Sequence, residues 1–135
     1  MVETVSFSKQ YLYDTLKVGI TVPVRLVLND STAVFEAKLD TGAANCIFER
    51  VHGENLGLTI ESGEKQNFST ATGTFTAYAH EVSLSVLEIE IFTRVYFAED
   101  ESYARNVLGR QGFLDRVKLG LVDYEGKLLL SAYEK

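Results

Sequence analysis

Strict alternation of apolar and other residues is the feature that most constrains how this chain can fold. In V18-G-I-T-V-P-V-R-L-V-L28, apolar side chains recur at every second position from Val18 to Leu28. A period of two puts these side chains on one face of an extended segment, so the pattern predicts a β-strand with one buried face. Pro23 cannot donate a backbone hydrogen bond to a neighbouring strand, which predicts a sheet edge or a bulge at this point.

Turn residues separate several more short apolar segments along the chain. N29-D-S31 predicts a turn into a second strand at 34–39. We also expect strands at 46–48, 82–91 and 93–97, a Thr-rich hairpin over 68–78 with Gly73 near its tip, and a last hairpin built from 117–122 and 127–131. A helical turn within 49–56, weakened by Gly53, and a short helix over 110–116 complete the expectation. Many short strands separated by turns are typical of an all-β sandwich or barrel.

Length and composition predict one soluble globular domain over residues 1–135. A hydrophobic share of 46% and a charged share of 24% are ordinary for such a domain, and 135 residues are short for two cores. The net charge of −6 and the scattered basic residues argue against a nucleic-acid partner, which needs clustered Lys and Arg. The apolar runs are too short to cross a bilayer. The N-terminus lacks the features of a signal peptide. The single cysteine is compatible with a reducing compartment. We therefore expect no membrane association and a cytoplasmic location.

Sequence signatures of metal and cofactor sites are absent. His52 and His80 stand alone, without the Cys/His spacing of a metal site. Cys46, flanked by Asn45 and Ile47, is better explained as a small core residue than as a nucleophile. We therefore expect neither a metal ion nor a cofactor.

The tetrapeptide D40-T-G-A43 is the remaining candidate for chemistry. Its simplest interpretation is a turn between strands, because Asp and Gly are common turn residues. Two observations favour a functional role instead. Asp40 ends an apolar strand and precedes another apolar segment, which predicts a position near the core, and the distant segment N106-V-L-G-R110 supplies a matching pair of apolar residues and a glycine.

Taken in order, these segments resemble the retropepsins, the single-domain aspartic proteases of retroviral type. The resemblance covers roughly residues 18–131: D40-T-G-A43, an apolar strand, a Thr/Gly-rich hairpin, V107-L-G109 and a short helix. The block from Gly109 to Arg116, followed by a final hairpin, is similar to soluble bacterial members. The resemblance implies an all-β fold, a closed or partly open barrel with one short C-terminal helix, and the activity of an aspartic endopeptidase.

The resemblance also implies a catalytic role for Asp40 and a homodimer. Peptide hydrolysis by carboxylates needs two that share a proton, because like charges about 3 Å apart cannot both ionise. The chain has one Asp-Thr-Gly, so the second carboxylate must come from a second copy. Support of the catalytic loop is expected from Thr41, Gly42, Leu108 and Gly109, and contact with an extended peptide substrate from Gly42, Ala43, Asn45, Thr72, Gly73 and Thr74.

One position departs from the family pattern. Viral members commonly carry an Asp shortly after the tetrapeptide, and it pairs with the Arg of the Gly-Arg dipeptide. This chain has Ala44 and Asn45 there, so Arg110 lacks that partner. Two alternatives stay open: a retropepsin-fold module that binds peptides or dimerises with little or no proteolytic activity, and a structural β-sandwich with an accidental triplet.

Overall fold

β-Strands make up most of the chain in the computed structural model, which describes residues 1–133. Glu134 and Lys135, the last residues of the predicted domain, lie outside the described part. In chain order the elements are β1 (Lys9–Leu12), β2 (Thr21–Leu28), β3 (Ser31–Leu39), β4 (Ile47–Phe48), α1 (Arg50–Asn55), a 3-10 turn (Ile60–Ser62), β5 (Glu64–Thr70), β6 (Gly73–Val86), β7 (Ile89–Ala98), β8 (Val107–Leu108), a 3-10 turn (Leu114–Arg116), β9 (Val117–Val122), a 3-10 turn (Asp123–Glu125) and β10 (Lys127–Ala132). The all-β class predicted from the sequence is confirmed.

The strands form two sheets. Seven strands lie in the order β2-β3-β8-β4-β7-β6-β5, and β2 pairs in addition with β6, which brings the sheet round into a partly closed barrel. The other sheet has three antiparallel strands in the order β1-β10-β9. Lys9 of β1 lies opposite Leu130 of β10, so the first and last strands meet within one molecule.

The burial of β2 follows the predicted alternation. Val22, Val24 and Leu26 are each 1% exposed or less and point into the core. Burying side chains of this size stabilises a fold by roughly 1.5–3 kcal/mol each. Pro23 faces outward and lies beyond the stretch of β2 that pairs with β6, so it occupies an edge as predicted.

Several strand boundaries differ from the sequence expectation, and β1 and β8 were not predicted as strands. β2 begins only at Thr21, because Gly19 adopts a φ of +92° and turns the chain before the strand. The segment 82–91, expected as one strand, is divided by a hairpin turn at Leu87 and Glu88, whose φ angles are +49° and +68°. Two successive positive φ angles are what a type I′ turn requires, and such turns usually carry Asn-Gly or Asp-Gly. The dipeptide Leu87-Glu88 is neither of these, so the sequence does not indicate a turn here.

Helix is scarce among the described residues. Over 110–116, where the sequence predicts a short helix, only the 3-10 turn Leu114–Arg116 forms. Gly112 adopts a φ of +101°, which is not helical, so the turn cannot begin before it. The amide of Gly112 donates instead to Asp115 Oδ1 at 3.0 Å. The α-helix α1 lies within the predicted helical turn at 49–56. Within residues 1–133, no helix has the length and apolar character needed to cross a membrane.

We predict that Glu88→Gly stabilises the protein by roughly 0.5–1 kcal/mol, because glycine adopts a positive φ without the steric cost that a Cβ meets there. The ion pair lost with Lys9 spans 3.7 Å at an exposed site and contributes little. Glu90→Gly is the matched control, because it places a glycine at an exposed position within β7. This change is expected to destabilise the protein. Urea unfolding measures both, and a Glu88→Gly protein less stable than the parent would contradict the assignment of turn strain.

Candidate active site

Asp40 follows β3 directly and is held by backbone contacts. β3 runs parallel to β8, with Leu39 opposite Leu108. The amide of Asp40 then donates to the carbonyl oxygen of Leu108 at 3.0 Å. The position of the carboxylate is therefore set by a pair of strands rather than by a free loop.

The tetrapeptide that begins with Asp40 forms a tight turn. The amide of Ala43 donates to the carbonyl oxygen of Asp40 at 3.2 Å, and the amide of Gly42 donates to Asp40 Oδ1 at 2.9 Å. A Cβ on Gly42 would lie 3.2 Å from that same carboxylate oxygen, so a larger residue would crowd it. The turn expected from Asp and Gly is present, and the same turn fixes one carboxylate oxygen against a backbone donor.

Gly109 lies against the backbone of this turn. A Cβ at Gly109 would be 2.2 Å from the carbonyl oxygen of Asn45 and 2.7 Å from that of Ala43, closer than any side chain tolerates. The amide of Arg110 donates to the carbonyl oxygen of Ala43 at 2.9 Å. Leu108, with no exposed surface, fills the space beneath. Glycine is thus required at 109 because backbone packs on backbone.

The side chain of Arg110 takes no part in this contact. It is exposed, and its neighbour Gln111 continues the pairing through an amide that donates to the carbonyl oxygen of Ala44 at 2.8 Å. The carbonyl oxygen of Arg110 accepts from the amide of Asp115 at 2.9 Å. The segment therefore supports the Asp40 turn through its main chain, without the acid that viral members place near Ala44.

We predict that Gly109→Ala destabilises the protein by at least about 2 kcal/mol, because the added methyl group overlaps two backbone oxygens that move only if the Asp40 turn moves. Gly120→Ala is the matched control, since its methyl group would meet the ring edge of Phe7 at 3.0 Å and that side chain can shift. Its expected cost is below about 1 kcal/mol. Thermal unfolding compares the two, and equal losses would refute the packing role of Gly109.

A cleft with a volume of about 620 Å³ opens beside Asp40. The turn after β3 lies on one side of it, and the tip of the β5–β6 hairpin lies on another. Of the residues predicted from the sequence to form the site, those that line the cleft are Asp40, Gly42, Ala43, Asn45, Thr72, Gly73 and Thr74. Thr41 is exposed next to the cleft, and Leu108 and Gly109 are buried below the turn. The structure brings these residues together, and their roles remain predictions.

The hairpin expected over 68–78 forms, and it is longer than expected. Thr70 lies opposite Gly73, which has a φ of +139°, across a two-residue turn. Thr70 Oγ1 donates to the carbonyl oxygen of Gly73 at 3.0 Å and accepts from the amide of Thr72 at 3.3 Å. These bonds give the tip a defined shape above the cleft.

Four aromatic side chains, here called the aromatic wall, line or support the cleft below this tip. Phe68 and Phe75 lie opposite each other across the hairpin, with ring centroids 5.2 Å apart. Tyr96 contacts Phe68 edge-on at 5.1 Å, and Tyr103 packs on Phe75 at 4.8 Å. None of these four residues is predicted from the sequence as part of the site. Phe68 and Phe75 could have been paired by counting outward from the Gly73 turn, but nothing local links Tyr96 or Tyr103 to them.

Residues 99–106, here called the cleft loop, form another side of the cleft and are held at both ends by residues 49–50. Asn106 Nδ2 donates to Glu49 Oε1 at 2.7 Å, and Asn106 Oδ1 accepts from the amide of Glu49 at 2.9 Å. At the other end, the guanidinium of Arg50 donates to the carbonyl oxygen of Glu99 at 3.0 Å. The loop between these anchors carries residues 102–105 to the cleft.

A partly buried histidine lies beside one of these anchors. His52 Nε2 is buried, has no hydrogen-bond partner among the described residues, and lies 3.4 Å from Glu49 Oε1. The imidazole stacks on Phe35 with ring centroids 3.8 Å apart. Burial lowers the pKa of His52 below its ordinary value of 6.5, although Glu49 acts in the opposite direction. The fold therefore favours the neutral imidazole.

We predict that His52 makes the protein less stable as the pH falls below about 6.5. Because its pKa is lower in the folded than in the unfolded chain, its contribution is complete above the unfolded value and is lost as the pH falls toward the folded one. His52→Phe keeps a ring on Phe35 and should show a shallower loss of unfolding free energy between neutral and mildly acid pH. Val51→Ala, a change at an exposed neighbour on α1, should keep the parent's slope. Denaturant unfolding across pH measures both, and an unchanged slope in His52→Phe would exclude this role.

Cys46 is a core residue, as the sequence predicts. It has no exposed surface, and burial raises the pKa of its thiol to about 12. A thiol with that pKa stays protonated near neutrality and does not serve as a nucleophile.

Within residues 1–133, no group of three or more His, Cys, Asp or Glu side chains is placed to hold a metal ion.

Comparisons with known proteins agree with this geometry. A model of the aspartyl protease family matches residues 22–121. Among the 226 chains of solved structures that match is EIAV protease complexed with the inhibitor HBY-793. The alignment has 23% sequence identity and a TM-score of 0.53, and it covers 70% of this chain and 85% of the other. A comparison with curated protein sequences gave no match. The fold predicted from the sequence, that of the retroviral proteases, is confirmed.

Proposed function

The chain belongs to the aspartyl protease family, and on that premise we propose that it is an endopeptidase whose dyad combines Asp40 from two copies of the chain. One observation carries the proposal: among the described residues that line the cleft, Asp40 is the one carboxylate, and a strand pair and a glycine turn fix its position. A single carboxylate cannot act at once as acid and base. A second copy related by a two-fold axis would supply the other.

The proposed reaction is the addition of water to a peptide carbonyl. The ionised carboxylate of the dyad takes a proton from water, whose oxygen attacks the carbonyl carbon, while the protonated carboxyl donates its proton to the carbonyl oxygen. Collapse of the tetrahedral intermediate breaks the carbon–nitrogen bond as the leaving amine is protonated. No cofactor is needed, and the cytoplasmic location stays a prediction.

The proposed substrate is an extended peptide. Residues 42–45 on one side and 72–74 on another line the cleft. A strand lying between them would pair with those of their backbone groups that are not already hydrogen-bonded within the turn. Closure of the hairpin tip would exclude water from the reacting bond. The aromatic wall gives the cleft apolar surface for the substrate's side chains. EIAV protease, which shares the fold, is described in complex with an inhibitor.

The proposed dimer brings the two Asp40 turns together. Thr41 and Gly42 are exposed in the single chain, so their surfaces are available to a second copy. We infer that the Thr41 hydroxyl donates to backbone across the two-fold axis. Leu108 and Gly109 would hold each turn from below.

We predict that Asp40→Asn lowers the cleavage of a peptide library at mildly acid pH by at least about 100-fold, because the amide can act neither as base nor as acid. Asp30→Asn is the matched control; it makes the same chemical change at an exposed turn residue and should keep the parent's activity. Mass spectrometry of the library measures peptide cleavage by both variants. Cleavage that persists in Asp40→Asn would exclude the dyad.

Mixing the two proteins tests whether the dyad spans two chains. When the parent exchanges subunits with a tenfold excess of Asp40→Asn, most parent chains sit in mixed dimers and activity should fall about tenfold. The same excess of Asp30→Asn should add activity instead. Undiminished activity in the first mixture would show that one chain suffices. Peptide binding by the parent without any cleavage would favour the alternative of a binding module.

A further inference from the structure

The charges that line the cleft are few and of opposite sign. Among the described lining residues only Asp40 and Arg105 are charged; the others are small, hydroxyl-bearing, amide or apolar. The chain as a whole carries a net charge of −6. The one positive charge that lines the cleft therefore contrasts with the negative net charge of the chain.

Arg105 occupies a well-defined place in the cleft loop. Its neighbour Asn106 is fixed by two hydrogen bonds to Glu49, so the backbone that carries the guanidinium is anchored. The aromatic ring of Tyr103, two residues earlier, packs on the hairpin. Burial raises the pKa of Tyr103, and the charge of Arg105 acts in the opposite direction. Both residues line the cleft.

The guanidinium of Arg105 is not engaged within the described part of the chain. The ion pairs formed by the Lys and Arg side chains of residues 1–133 involve Lys9, Arg50, Arg94 and Lys127. The acids that begin the cleft loop, Glu99 to Glu101, line a separate hollow together with Arg50. Arg105 is exposed and lines the cleft, where it can meet a ligand.

We propose that Arg105 selects peptides with an aspartate or glutamate next to the apolar side chain that flanks the scissile bond. This inference rests on the proposed function. A guanidinium binds a carboxylate through two parallel hydrogen bonds, and a closed cleft screens the pair less than open solvent does. The aromatic wall, which Tyr103 joins to the cleft loop, takes the neighbouring apolar side chain. In the symmetric dimer each chain contributes one Arg105, so the preference applies on both sides of the bond.

The test uses peptides of one apolar sequence that differ only in a Glu, Gln or Lys placed at each position around the cleaved bond. At low salt the parent should cleave the best Glu peptide with a kcat/KM on the order of tenfold above its Lys counterpart. Arg105→Glu should reverse the order of the two. Arg25→Glu, the same charge change on the outward face of β2, should keep the parent's order. Added salt should shrink the preference.

Each outcome separates this inference from the proposed function. Equal cleavage of the Glu, Gln and Lys peptides by the parent, or an unchanged order in Arg105→Glu, would overturn the role of Arg105 and leave the protease intact. If the parent cleaves nothing, the proposed function fails. Fluorescence anisotropy of the same labelled peptides with the Asp40→Asn protein, with and without Arg105→Glu, then decides the preference by affinity alone. Equal affinity for Glu and Lys peptides there would likewise overturn it.

Discussion

The parallel pairing of β3 with β8 is the contact on which the candidate site depends. It places the amide of Asp40 against the carbonyl oxygen of Leu108, and the chain beyond β8 continues along the Asp40 turn through further main-chain bonds. These contacts join backbone to backbone, so no side chain could replace them. That is why Gly109 stands where the two segments touch: a Cβ would displace the turn and, with it, the carboxylate.

The walls of the cleft depend on a second, polar contact. Glu49 and Arg50, which follow β4, hold the two ends of the cleft loop, and Tyr103 of that loop packs on the β5–β6 hairpin. The loop and the hairpin are therefore coupled to one point of the fold. His52 lies at this point with a buried nitrogen that makes no hydrogen bond to the described residues and is 3.4 Å from Glu49 Oε1. Protonation of His52 therefore acts on the Glu49 anchor of the cleft rather than on Asp40 itself.

Local patterns were enough to predict most of the strands and the Asp40 turn, but neither β1 nor the residues that contact the turn in the folded chain. The fold was predicted from the alternation in β2 and from the order of D40-T-G-A43 and V107-L-G109 along the chain. Both are local signals, because a period of two and the position of a glycine can be read directly from the sequence. The turn at Leu87 and Glu88 was not predicted, because these residues have positive φ angles that residues other than glycine rarely adopt. The aromatic wall and Arg105 were missed for another reason: β5, β6, β7 and the cleft loop meet only in the folded chain.

The proposed dimer has to overcome repulsion between two chains that each carry a net charge of −6. The two Asp40 carboxylates can meet only if they share a proton, which already removes one negative charge at the axis. Ala44 and Asn45 add no further charge beside the turn, where viral members commonly carry an acid, and Arg105 places a positive charge in the same cleft. Loss of the viral acid removes the partner of Arg110, yet it also leaves fewer like charges where the two turns would meet. In this chain the support of the turn is carried by the main chain of Arg110 and Gln111, which needs no ion pair.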